Sequence, residues 1–183
     1  MNQFVNDPAV VKAALQPFLA HHLGSWTGLP KSKLETLKAA LGEPIKMEQA
    51  ALGWKPAERY TFRVESPSGG LLAYTRKGDV VLIEALAPPP LSAMEGLGEP
   101  TAILPHEILS PGVYVHEYLY CERGLILGIG EPFRKEEPLN IVRVRGIRPL
   151  DSPSEFGPEF YQAFQDQTVW KRIGTAWNSM GSS

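Results

Sequence analysis

The side chains best equipped for chemistry in this chain are its four histidines, its single cysteine and its carboxylates. Two His-Glu pairs stand out, His106-Glu107 and His116-Glu117. Neither opens the H-E-x-x-H pattern that sets two imidazoles on one helix face around zinc. If residues 114–122 form a strand, neighbouring side chains point to opposite faces, so His116 and Glu117 cannot line one site. A metal centre would need ligands from elsewhere in the chain. Cys121 shares its alternation with Val113, Val115 and Leu119, which makes it a buried, inert core thiol, with a nucleophilic role as the alternative. Gly128-Ile129-Gly130 starts like a dinucleotide loop, yet Phe133 stands at the third glycine position and a charged stretch follows where a helix should begin. These glycines read instead as relief of crowding or as a bulge. Neither G-x-S-x-G nor G-x-x-x-x-G-K-S/T occurs. The sequence therefore assigns no catalytic residue, no metal site and no cofactor.

Composition narrows the class further. A chain of 183 residues with 43% hydrophobic and 21% charged residues is globular and long enough to bury a core without staples. Its net charge of −2 lacks the basic excess of a nucleic-acid binder, and only Arg143, Arg145 and Arg148 cluster in that direction. One cysteine excludes an internal disulfide and suits a reducing compartment. The first residues carry no basic leader, and Asp7, Pro8, Lys12, His21 and His22 interrupt every apolar run. No stretch reaches the roughly 18 apolar residues of a membrane helix. The expectation is a bacterial cytoplasmic protein with neither nucleic-acid nor membrane partners.

The elements that must position these residues follow from patterning. Residues 8–23 fit a helix with Asp7 as N-cap and an apolar stripe of Val11, Leu15, Phe18, Leu19 and Leu23, with Pro17 kinking or splitting it. Residues 25–31 read as a connecting loop. Ser32 and Glu35 have the spacing of a capping box for a helix through Leu41, which Gly42 and Pro44 stop. Strands are expected at 60–65, 71–75 and 80–86, with a stiff Ala87-Pro88-Pro89-Pro90 linker after them. The stop Leu41-Gly42-Glu43-Pro44 recurs as Leu97-Gly98-Glu99-Pro100, again after a capping-box pair, Ser92 and Glu95. Strands at 114–122, 125–130 and 141–146 match the earlier three. The offset is 56 at the LGEP glycines, 54 between Gly70 and Gly124, and 61 between Asp79 and Asn140, so the differences fall in loops. The organisation predicted is an N-terminal helix and loop (1–31), two tandem helix-plus-antiparallel-meander units (32–87 and 88–148) forming one α+β sheet, and a C-terminal linker and helix (149–183, helical over 159–177). Chance recurrence of a capped helix stop and a meander is the alternative.

Copy two departs from copy one in its aromatic strand and its last hairpin. Alternation puts Tyr114, His116, Tyr118 and Tyr120 on one face and Val113, Val115, Glu117, Leu119 and Cys121 on the other. If the apolar set packs on helices, the tyrosines form an open surface suited to a protein interface. Equally, the aromatic face is itself core or a cross-strand ladder. The loop 131–140, with Phe133, Arg134 and Lys135 ahead of Glu136 and Glu137, is a second contact element.

Tandem units of a short helix, a leucine-glycine-x-proline stop and a small meander resemble the β-lactamase-inhibitor-protein fold and its single-unit relatives among outer-membrane assembly lipoproteins. The resemblance spans about residues 32–148 and rests on Leu41 to Pro44, Leu97 to Pro100 and the strand order. It implies an aromatic sheet face and loops that contact a protein partner. That family is secreted or periplasmic, and its inhibitor form uses disulfides; this chain shows neither a leader nor cysteine pairs.

Together these features lead to the expectation of a non-enzymatic protein-binding module. It would be an immunity or inhibitor protein that covers a toxin or effector with Tyr114, His116, Tyr118, Tyr120, Phe133, Arg134 and Lys135. The alternatives are a small-ligand or enzymatic site between the units using His116 with Tyr118 or Tyr120, and a structural subunit of a phage or secretion assembly.

Overall fold

The computed structural model describes residues 3–53, 55–110, 113–132 and 139–155, with backbone alone at 104–110, 113–114 and 131–132. The expected C-terminal helix, Phe133, Arg134 and Lys135 lie outside the described residues. The chain is α+β, and its described residues form two α-helices against an eight-stranded antiparallel sheet.

Helix α1 (Pro8–Leu19) begins as the sequence predicts, with the Asp7 carboxylate accepting the Ala9 N–H at 2.9 Å and proline in the first turn. Pro17 is held inside the helix without splitting it. The helix ends four residues earlier than the apolar pattern suggests, because His21 turns to φ +60° and the chain tightens into a 3₁₀ turn at Leu23–Ser25. Helix α2 (Leu34–Leu41) stops at Gly42, whose φ of +92° is open to glycine at little cost.

Neither capping box forms. The N-cap of α2 is Lys33, whose side chain reaches Asp79 while its backbone bridges the same residue. That contact fixes the entry to the helix: the Leu34 N–H donates to Gly78 and the Ser32 carbonyl accepts from Val80, so the Ser32 hydroxyl turns inward, away from Glu35. The second pair, Ser92 and Glu95, flanks only a 3₁₀ turn (Leu91–Met94). Three prolines precede it and positive-φ Gly96 and Gly98 follow, leaving too few residues to offset helix nucleation.

The sheet comprises β1 (Lys46–Leu52), β2 (Lys55–Arg63), β3 (Gly70–Arg76), β4 (Asp79–Ala85), β5 (Ala102–Ser110), β6 (Val113–Tyr120), β7 (Leu125–Pro132) and β8 (Asn140–Gly146). Its order is β1-β2-β3-β4-β8-β7-β6-β5. Two consecutive four-strand meanders are thus joined edge to edge through β4 and β8, by the pairs Ile83↔Gly146 and Glu84↔Arg145. β1 and β5 were not anticipated from sequence. β1 lacks the apolar alternation that marks a strand, and β5 contains Pro105, which argues against a regular one.

The main core lies between the helices and one sheet face, where Val11, Leu15, Phe18, Leu19 and Leu37 meet Phe62, Leu71, Ile83, Leu125, Leu127 and Val144. Burying each such side chain stabilises by about 1.5–3 kcal/mol. The stretch read as a connecting loop supplies the centre of this core. Trp26 is fully buried with its ring centroid 5.2 Å from that of Phe18, and its indole N–H donates to the Gly124 carbonyl at 3.4 Å. Gly146 sits beneath it: a Cβ there would come within 2.9 Å of the Trp26 ring and 3.1 Å of Ile83. Arg123 donates to the Gly24 carbonyl at 2.6 Å, and the Leu29 N–H to Ile147 at 2.9 Å. The loop therefore ties α1 to the second meander beside its seam with the first.

Candidate functional site

The face of β6 that carries the tyrosines is the helix face. Tyr120 belongs to the main core with 4% of its surface exposed, and its hydroxyl donates to the Gly98 carbonyl at 3.4 Å. Burial, with the nearby Tyr118 phenol adding to it, pushes its pKa up to about 12. Tyr118 is partly buried against the same cluster, and His116, half-buried, pairs across to core residue Ile129. Tyr114 follows in the same alternation, its side chain outside the described set. The open tyrosine surface expected from sequence is therefore corrected to a core face at Tyr120. The reason is that Leu97, Met94 and Trp26 pack with Tyr118 and Tyr120 in the cluster that α1 also joins, on the helix side of the sheet.

The other face of the sheet carries both a second buried apolar cluster, with Leu82, Leu119, Ile126 and Ile147, and a set of charged side chains. Reading across the register, one residue from each strand forms a central row: Lys46, Thr61, Leu72, Glu84, Arg145, Ile126, Leu119 and Ala102. Glu84 and Arg145 are opposite one another at the seam, with Arg145 Nε 3.9 Å from the Glu84 carboxylate. Next to this row on the second meander, Glu117, Gly128 and Arg143 stand side by side on β6, β7 and β8. Gly128 explains how the outer two meet. With no side chain between them, Arg143 lies across β7 and donates to Glu117 Oε1; a Cβ on Gly128 would press on Arg143 Cβ at 3.1 Å. Arg145 donates to the same oxygen at 3.0 Å. Glu117 is only 1% exposed, so its charge depends on these two guanidiniums. Its Oε2 and the Nε atoms of both arginines are buried without a hydrogen-bond partner. Desolvation raises the Glu84 pKa, with the Glu117 charge adding to it and Arg145 and Arg143 opposing.

On the far side of the central row, the first meander carries Glu48, Arg59 and Tyr74 in register. Arg59 donates to Glu48 at 2.7 Å, and its guanidinium carbon is 6.0 Å from the Tyr74 ring centroid. The hydrogen bond to Tyr74, then that to Glu48, raise the Arg59 pKa, while Lys46 and Arg59 together lower that of Glu48. Arg59, Tyr74, Glu84 and Arg143 all remain partly open to solvent.

This arrangement holds planar cations and a phenol in fixed positions. Cys121 is buried in a 3₁₀ turn following β6, among Leu119, Ile126 and Leu150, and burial raises its pKa above the ordinary thiol value. Glu117 and His116 diverge to opposite faces. Among the described residues, no group of three or more His, Cys, Asp or Glu is placed to hold a metal ion, and no helix is long and apolar enough to cross a membrane. A cleft of about 810 Å³ opens beside the seam, lined by Lys31, Asp79, Val81, Arg148 and Asp151 among others, away from His116, Tyr118 and Tyr120.

Sequence reasoning missed Arg59, Tyr74 and Glu84, and noted Arg143 and Arg145 only as a basic cluster. A signal was present: Arg143 and Arg145 are two apart on a strand, hence on one face, and Glu117 interrupts an otherwise apolar alternation. Comparison with family models, curated proteins and solved structures found no match to this chain.

Proposed function

We propose that this chain is a non-enzymatic protein-binding module of the inhibitor or immunity kind, cytoplasmic, that covers a partner protein with the sheet face opposite its helices. The observation that carries this reading is the preorganised, half-exposed set of Arg59, Tyr74 and Arg143, each held by a cross-strand carboxylate or ring contact. Arginine and tyrosine dominate binding hot spots, and side chains already fixed lose less entropy on docking. This surface replaces the buried Tyr120 as the contact face; Phe133, Arg134 and Lys135 stay in the proposal as the second contact element expected from sequence.

The same reading includes descent from a tandem repeat. In its support, each meander has four strands in the same sequential pairing, and Gly42 and Gly98 of the repeated motif both take positive φ, +92° and +71°. The likeness to the β-lactamase-inhibitor-protein fold is carried over only as a mode, a sheet face presented to a protein. A toxin or effector encoded beside this chain is the partner to test: it should co-purify with the wild-type protein and fail to do so with a folded Arg59→Ala/Tyr74→Ala variant.

A second reading, a small-ligand site between the units, is favoured by the seam cleft, whose volume falls within the roughly 300–1,000 Å³ of such sites. Saturable thermal stabilisation by a metabolite, lost in Asp79→Ala, would select it.

A further inference from the structure

The two edges of the sheet are built differently. β5 contains Pro105, and its pairing with β6 slips twice, between Leu104 and Glu107 and again between Ile108 and Ser110. Proline and bulges are two devices, beside charged side chains, that keep an edge from accepting another strand. β1 has neither. Its seven residues pair with β2 in unbroken register, from Lys46↔Thr61 to Leu52↔Lys55, and no described strand lies beyond it. Ile45 and Met47, two apart and on the helix side, are left 59% and 52% exposed.

We propose that β1 is a self-association edge, at which two copies of this chain pair antiparallel about a two-fold axis through Met47 and continue one sheet across both molecules. Charge selects a second copy as the occupant. Centred on Met47, antiparallel pairing sets Lys46 of each copy opposite Glu48 of the other, on the face away from the helices. Within one chain Lys46 and Glu48 are already 2.7 Å apart, so the dimer joins two such pairs into an alternating square of charges. On the helix side Met47 meets its own counterpart with Ile45 diagonal to it, and both exposed side chains are covered. Moving the axis to Gln49 would oppose Lys46 to Leu52 and Glu48 to Ala50, which loses both pairs. The contact is isologous and closes as a dimer.

Sedimentation of the intact protein over the micromolar range tests this. The expected result is a monomer–dimer equilibrium. Met47→Asp, Lys46→Glu and Glu48→Lys, each checked for native circular dichroism, should each weaken it by roughly tenfold or more. Mixing Lys46→Glu with Glu48→Lys should restore association, because the mixed pair again opposes unlike charges at both positions. A monomer at every concentration, a dimer indifferent to Met47→Asp, or a mixture no tighter than either variant alone would overturn the proposal.

Discussion

Glu117 is the residue on which the second meander's polar face depends. A carboxylate 1% exposed between two arginines is tolerable only while both partners remain. Glu117→Ala leaves the guanidiniums facing one another and should destabilise by about 3–5 kcal/mol in chemical denaturation. The loss in a Glu117→Ala/Arg145→Ala double variant should be clearly less than the sum of the singles. Glu84 behaves oppositely. Its folded pKa is raised above the unfolded value, so the folded state binds the proton more readily and the ionised carboxylate costs stability above that folded pKa. Glu84→Gln should therefore raise the melting temperature near neutral pH. The advantage should shrink as pH falls through the folded pKa, where the wild-type carboxyl is itself neutral. A benefit that grew on acidification would contradict the environment assigned to Glu84. At this scale the sequence was legible where one rule decided the outcome. Strand alternation separated His116 from Glu117, and the apolar company of Cys121 anticipated its burial. It was not legible where the choice of face mattered, because Tyr118 and Tyr120 suit either a core or an interface, and local sequence cannot tell which side the helices cover.

Among the elements, the Trp26 loop ties α1 to the second meander through Phe18, Gly124, Gly146 and Arg123, next to the β4–β8 pairing of Ile83↔Gly146 and Glu84↔Arg145. Trp26→Ala should cost about 3–5 kcal/mol. Because the indole sits over Gly146, Gly146→Val should be destabilising by over-packing, by about 1–3 kcal/mol or more, although it adds apolar surface. Equal stability of Gly146→Val and wild type in urea melts would refute this packing. The helix stops at Gly42 and the strands β2 to β4 and β6 to β8 could be read from periodicity and turn residues. The edge strands could not, since a strand packed on few neighbours needs little apolar alternation. The capping boxes failed for a related reason. A tertiary contact, Lys33 with Asp79, set the geometry of the helix entry and outweighed a local hydrogen bond worth about 1 kcal/mol.

For the molecule as a whole, α+β class and an antiparallel sheet followed from the sequence, whereas the joining of the two meanders through β4 and β8 did not, because no local signal encodes which edges meet. That joining places the charged rows of the two meanders on opposite sides of a central row, with the buried apolar cluster of Leu82, Leu119, Ile126 and Ile147 on the same face. The most direct measurement is isothermal titration of the purified protein with the product of a neighbouring toxin or effector gene, for wild type and for Arg59→Ala/Tyr74→Ala. Saturable binding by wild type is expected, with a loss of roughly 4 kcal/mol, about a thousandfold, in the folded double variant. Undiminished binding by that variant, or binding abolished only by changes on the helix side, would contradict the proposed contact face.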